Sequence, residues 1–257
     1  MPDEKDDQQP LVQIGPGGKQ GGGLFETLRL VFTLTLAGLL SGLLIVSAYE
    51  LTLPRIEANQ AAALRKAVFE VLPGTKQMQQ LIWRDGHLVV AGPSQKAPQP
   101  GSSVYGGYDQ AGKFVGYAIP AAGPGFQDTI QLIFGFNPAR RRIVGMEVLE
   151  SRETPGLGSR IADDPGFHSQ FKDLAVEPKV VLVKGHGDKA NDVDAITGAT
   201  ISSTAVVKII NKADATWLPK LPKAGQAPAL VPSKGKEREI HPVKPPGGPV
   251  PGGNSGK

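Results

Sequence analysis

From Leu30 to Ala48 the chain runs 19 residues, LVFTLTLAGLLSGLLIVSA, without one charged side chain. At a rise of about 1.5 Å per residue, a helix of that length crosses a hydrocarbon core of about 30 Å. Arg29 and Glu50 bracket the run closely. A helix buried in a soluble core rarely excludes charge for so long. A cleaved signal peptide has a shorter apolar region and a shorter polar leader. The run therefore reads as an uncleaved single-pass membrane anchor. Gly38-x-x-x-Gly42 inside it is a spacing that lets a second helix approach closely. Flanking charge does not orient it, with Lys19 and Arg29 at one end and Arg55, Arg65 and Lys66 at the other.

The anchor divides the chain. Residues 1–23 form a polar, glycine-rich leader expected to be disordered, and residues 24–50 hold the anchor. Residues 51–218 are expected to form one α+β domain, and residues 219–257 a solvated, basic Pro/Gly-rich tail. The net charge of +4 sits in that tail, whose seven Lys/Arg and two Glu leave the rest of the chain at −1. A basic balance confined to a tail gives no reason to expect a nucleic-acid partner.

The sequence holds no cysteine, which excludes disulfides, thiol catalysis and Cys-ligated clusters. His87, His168, His186 and His241 are scattered, none with a partner at i+3 or i+4, so no metal site is expected. No Ser/His/acid set is visible, and no Gly-x-Gly-x-x-Gly opens a helix after a strand.

Periodicity places the elements. Pro54 starts a helical pattern in which Ile56, Leu64, Ala67, Val68, Val71 and Leu72 recur up to the stop signal Pro73-Gly74. Leu81–Trp83, Asp85-Gly86 and His87–Val90 read as a hairpin. Lys113–Ile119, Thr129–Phe136, Arg142–Leu149 and a short Val180–Val183 read as further strands, and Ser202–Trp217 as the last helix.

Two stretches carry chemistry. In Asp194-Ala195-Ile196-Thr197-Gly198-Ala199-Thr200-Ile201-Ser202-Ser203, four hydroxyls and a Gly-Ala turn precede an apolar helical run. Hydroxyls and free backbone N–H groups at the positive end of a helix suit an anion, with Thr197, Ser202 and Ser203 as candidate donors. An ordinary helix cap would carry similar letters, and Asp194 would look the same as a plain turn residue. The second stretch is Glu153-Thr154-Pro155-Gly156-Leu157-Gly158, a Pro-Gly turn that offers a carboxylate, a hydroxyl and the apolar Leu157 at a strand end.

Asp-x-x-Thr-Gly-Ala-Thr resembles the flavinylation motif of the FMN-binding domain found in the G subunit of the Rnf electron transport complex and in the C subunit of the Na⁺-translocating NADH:quinone oxidoreductase. Glu153–Gly158 resembles a second string of that family. Gly123-Pro124-Gly125-Phe126 and Ile143-Val144-Gly145 before Val148-Leu149-Glu150 are similar to it as well. The resemblance runs from about Leu30 to Trp217.

It implies an antiparallel sheet with flanking helices behind one transmembrane helix, and FMN attached through a phosphoester to Thr200. Thr197, Gly198, Ala199, Ser202 and Ser203 would surround the phosphate, and Asp194, counted with them, would fix the turn or be read by the transferase. Glu153, Thr154, Gly156, Leu157 and Gly158 would lie against the flavin. A separate flavin transferase would load the cofactor, so no catalytic residue is expected in the chain itself. The function so implied is electron carriage within a ferredoxin- and NAD-linked, ion-translocating oxidoreductase of the bacterial inner membrane, beside other membrane subunits, with the flavin domain outside the cytoplasm. The C subunit of the quinone-reducing relative, or a flavin-free membrane-anchored scaffold, are the alternatives.

Overall fold

The computed structural model describes residues 23–91, 101–222 and 226–231. The leader and most of the basic tail lie outside the described residues. Two compact units divide between Ala62 and Ala63, inside the first helix. The boundary expected at residue 50 falls in that same helix.

The first unit contributes most of α1 (Leu24–Val71), a helix of 48 residues. Its apolar side chains from Leu30 to Val46 are more than half exposed, and one 18-residue window reaches a mean hydropathy of 2.2. It is long and apolar enough to cross a membrane. The sequence suggests a new helix starting at Pro54, but α1 continues through Pro54. Proline removes one backbone donor and crowds the preceding turn. Good helix formers on both sides, with Ala48, Glu50 and Leu51 before it and Ala61–Ala63 and Leu64 after it, carry the helix across it.

The second unit is built on one seven-stranded sheet. Its strands are β1 (Gln77–Arg84), β2 (His87–Val90), β3 (Ser103–Tyr108), β4 (Phe114–Pro124), β5 (Thr129–Asn137), β6 (Arg142–Glu150) and β7 (Leu174–Ala175). They lie in the order β2-β1-β3-β4-β5-β6-β7, and every neighbouring pair is antiparallel. The β1–β2 hairpin turns on Asp85-Gly86, both at positive φ, as the Asp-Gly pair suggests. Short helices α2 (Arg160–Asp163) and α3 (Pro165–Ser169) follow β6. Strands β8 (Val181–Val183) and β9 (Asp192–Asp194) pair in parallel before α4 (Thr200–Trp217).

The sheet is covered on both faces, and the alternation of its side chains shows it. Tyr117, Ile119, Leu132, Phe134 and Phe136 join a core with α4, which buries Val206, Ile209, Ile210, Ala213 and Trp217 at helical spacing. Tyr105, Ala118 and Ile133 face the other way, against Ala67, Val68, Val71 and Leu72 at the end of α1.

That second face is a groove made of glycine. Gly107 pairs with Gly116 across β3 and β4, and Gly135 with Gly145 across β5 and β6. A Cβ on Gly107 would come within 2.9 Å of Leu72 Cδ1, and one on Gly145 within 2.9 Å of Val71 Cα. A Cβ on Gly135 would collide with the Val71 carbonyl. Four hydrogens in place of four methyl groups let the end of α1 sink onto the sheet.

The tail also departs from expectation. Residues 226–231 are not a free solvated strand, because Gln79 grips them at both ends of its amide. Gln79 Nε2 donates to the Ala229 carbonyl (3.0 Å), and Val231 N donates to Gln79 Oε1 (3.0 Å). Tyr108 Oη donates to the Pro228 carbonyl at 2.7 Å.

Candidate functional site

A cavity of about 270 Å³ gathers the two stretches singled out above. Glu153, Thr154, Leu157 and Gly158 line one side, and Gly198, Ala199, Thr200 and Ser202 the other. Phe126 and Ile201 complete it. Enclosed small-molecule pockets usually hold about 300–1,000 Å³, so this is an open shelf more than a chamber. Phe126 (63% exposed), Leu157 (53%) and Ile201 (59%) present large apolar surfaces around it. Three such side chains converging on one polar turn form a platform for a flat, partly apolar ligand.

Thr200 is the first residue of α4, and its hydroxyl makes no hydrogen bond among the described residues. The cap position falls to Ala199, whose side chain cannot accept a bond. The first bond back into the helix is Ser203 N to the Ala199 carbonyl. The N–H groups of Thr200, Ile201 and Ser202 therefore have no helical acceptor and stand at the positive end of the dipole. An uncapped helix start opening onto a cavity is a place for an anion.

The serine hydroxyls do a different job from the one their letters suggest. Ser202 Oγ donates to Glu153 Oε2 at 2.5 Å, and Ser203 Oγ donates to the Ala199 carbonyl at 2.9 Å. Ser203 Oγ also accepts from Ile196 N at 3.2 Å. With their protons committed, both hydroxyls shape the turn, and Ser202 offers the cavity its backbone N–H instead.

Glu153 is the hub. It is buried, and its Oε1 accepts from Phe126 N (2.8 Å) and Gln127 N (3.1 Å). Burial alone would raise its carboxyl, but the hydrogen bonds from Ser202 and the backbone of Gln127, Phe126 and Asp128 outweigh it and hold the carboxyl below the usual range. Gly158 lies so close that a Cβ there would sit 2.7 Å from both Glu153 Oε2 and Ser202 Oγ. Gly198 has φ +84, in the left-handed region that favours glycine.

The other expected site residues lie outside the cavity lining. Asp194 Oδ1 accepts from Gly187 N at 2.7 Å and so orders the loop between β8 and β9. The Thr197 carbonyl accepts from Arg160 Nη1 at 2.9 Å. Gly156, at φ +74, turns the second stretch, with its N–H donating to Ser159 Oγ at 3.0 Å.

Phe126 and Ile201 line the cavity although sequence reasoning does not single them out as site residues, and Arg160, outside the lining, donates to the Thr197 carbonyl. Ile201 is recognisable in principle as an apolar residue on the open side of an uncapped helix start. Arg160 carries no sequence signal. A larger cleft of about 730 Å³, lined among others by Glu70, Glu147, His168 and Lys172, includes no residue of either stretch.

Residues 125–214 match the family described as FMN-binding domain, a span that starts beside Phe126 and encloses both stretches. The chain is 31% identical to the G subunit of the ion-translocating oxidoreductase complex of Methanosarcina acetivorans, over 73% of this chain and 93% of that one. It is also 31% identical to the G subunit of the Na⁺-translocating ferredoxin:NAD⁺ oxidoreductase complex of Acetobacterium woodii, over 55% of this chain and 68% of that one. The corresponding G subunit of Pseudomonas aeruginosa is 31% identical over 72% and 86% of the two chains. Among solved structures, the C subunit of the Na⁺-translocating NADH-quinone reductase of Parabacteroides distasonis superposes with a TM-score of 0.50 over 65% of this chain and 94% of that one. At 15% identity it shows a shared fold.

Proposed function

Because the chain belongs to the G-subunit family of ion-translocating oxidoreductase complexes, we propose that it is the electron carrier of such a membrane complex, with FMN joined to Thr200 by a phosphoester. The observation that carries this reading is the uncapped start of α4 at Thr200, opening onto a cavity that both stretches line.

The residues fit the group. Free N–H groups of Thr200, Ile201 and Ser202 suit a phosphate, and Phe126, Leu157 and Ile201 suit a flat aromatic ring system. Bound there, FMN supplies one- and two-electron transfer. The chain's own part is to hold the phosphate at the helix start, keep the turn rigid through Glu153 and Ser202, and leave the shelf open to a redox partner.

Among the described residues, no free base stands at Thr200 for its own modification. A threonine hydroxyl needs one to become nucleophilic. Glu153 is the acid among the residues that line the cavity, and its oxygens are tied to Ser202, Phe126 and Gln127. An external transferase would therefore move FMN from FAD. The Thr200 Oγ–P bond forms, the P–O–P bond of FAD breaks, AMP leaves, and the hydroxyl proton passes to a base of the transferase.

The long apolar stretch of α1 supports a reading in which the chain is anchored beside the other subunits of a membrane complex, with the flavin domain outside the cytoplasm. Protease added to spheroplasts would digest that domain in this orientation and leave it intact in the opposite one. The flavin reading is tested by producing the chain with and without a matching transferase and viewing the denatured band under ultraviolet light. A fluorescent band that Thr200→Val abolishes supports it. A dark band despite an active transferase overturns it in favour of a flavin-free scaffold.

A further inference from the structure

Arg160 opens α2, two residues past the end of Glu153–Gly158, and reaches across to the other stretch. Its Nη1 donates to the Thr197 carbonyl at 2.9 Å, while its Nη2 donates to Asp164 Oδ2 at 3.0 Å. Asp164 is itself fixed as the cap of α3, with Oδ1 accepting from Phe167 N at 3.1 Å. The guanidinium is thus held on a built support and carries that support to one peptide group of the loop before α4.

That peptide is the sensitive one. The Thr197 carbonyl precedes Gly198, whose φ of +84 turns the chain towards Thr200. Ala199 N donates to the Ile196 carbonyl at 2.9 Å, which closes the same turn. On the far side, Ser202 is tied to Glu153. The loop is therefore clamped at two points, an acid behind it and a cation before it, with Thr200 between.

We propose that Arg160 is a positioning residue for flavin attachment: it fixes the Thr197–Gly198 peptide and so presents the Thr200 hydroxyl to the transferase. The proposal rests on the reading that Thr200 is the attachment site. A planar guanidinium can serve two acceptors in fixed directions, and a lysine ammonium keeps the charge without that fork.

The test measures the initial rate at which covalent flavin appears when the purified chain meets transferase, FAD and Mg²⁺. Wild type, Arg160→Gln and Arg160→Lys are compared, with the melting temperature of each unloaded chain. Misplacing a reacting group by about 1 Å costs up to roughly 100-fold in rate, so Arg160→Gln is expected to slow attachment by about tenfold or more. Arg160→Lys should recover part of the rate, and neither melting temperature should move by more than a few degrees, because the Arg160 side chain is 44% exposed. Attachment to Arg160→Gln at the wild-type rate, or a loss of rate no larger than its loss of folded chain, overturns the proposal alone. A wild-type chain that stays dark overturns the attachment reading and this proposal with it.

Discussion

Ser202 gives its hydroxyl proton to Glu153 across 2.5 Å, and this one bond joins α4 to a turn 49 residues earlier in the chain. Glu153 also receives two backbone N–H groups from the turn between β4 and β5. Three separate segments meet on one buried carboxylate, and the cavity at Thr200 is the space left between them.

Glu153→Ala removes the acceptor of all three donors and leaves the Ser202 hydroxyl buried and the Phe126 and Gln127 N–H groups partly so. An unsatisfied buried polar group costs about 1–3 kcal/mol. Partial relaxation of the turn should keep the total near 3 kcal/mol, a fall in melting temperature of roughly 6–12 °C for a domain of this size. Calorimetry on the unloaded chain checks it.

The same carboxylate gives an acid dependence of known sign. Its native pKa lies below the unfolded value, so its share of stability is complete above the ordinary carboxylate range near about 4.3 and is lost as pH falls through the native value. Melting curves between pH 6 and pH 3 should fall more steeply for the wild type than for Glu153→Gln.

Asp214 works in the opposite direction. It lies buried in α4, neither carboxyl oxygen has a partner among the described residues, and burial pushes its pKa up to about 7. A native pKa raised above the unfolded one gives stability that is present at low pH and lost as pH rises towards the native value. At about 1.4 kcal/mol per unit, the loss between pH 4 and 7 is on the order of 4 kcal/mol. Asp214→Asn should raise the melting temperature at pH 8 and leave it almost unchanged at pH 4.

The glycine groove sets a steric limit. A methyl group on Gly135 meets backbone, the Val71 carbonyl, which cannot move aside as a side chain can. Gly135→Ala should cost about 3 kcal/mol, at the upper end of overpacking. Urea unfolding of the wild type and the variant measures it.

The strap over β1 and β3 should behave as part of the fold. Gln79→Ala removes two hydrogen bonds to residues 229 and 231, worth about 1–2 kcal/mol together. A chain ending at Pro222 should lose a similar amount. Combining the two changes should cost less than their sum, because both remove the contacts to residues 229 and 231, while Gln79→Ala alone also removes its bond to Tyr108 Oη at 2.5 Å.

What the sequence discloses follows from how local each signal is. The long apolar helix α1, the Asp85-Gly86 hairpin, β4 to β6 and α4 are each written in a continuous run. Strand β3 escapes a reading by period because Gly106 and Gly107 hide its alternation, and those glycines make sense only once Leu72 is seen against Gly107. The strap escapes it because its partners, Gln79 and Tyr108, lie some 120 residues or more away in sequence. At the site, the letters group Glu153, Thr154, Leu157 and Gly158 with Gly198, Ala199 and Thr200, and the cavity joins those residues. They do not reveal that the protons of Ser202 and Ser203 are already given away, since the direction of a hydroxyl depends on contacts made in three dimensions.

Peptide mass spectrometry of the transferase-treated chain tests the central claim most directly. The account predicts one modified peptide, heavier by FMN less one water, with fragment ions that place the addition on Thr200. Flavin found on another residue, or a Thr200 peptide of unmodified mass in a sample that has consumed FAD, would contradict it.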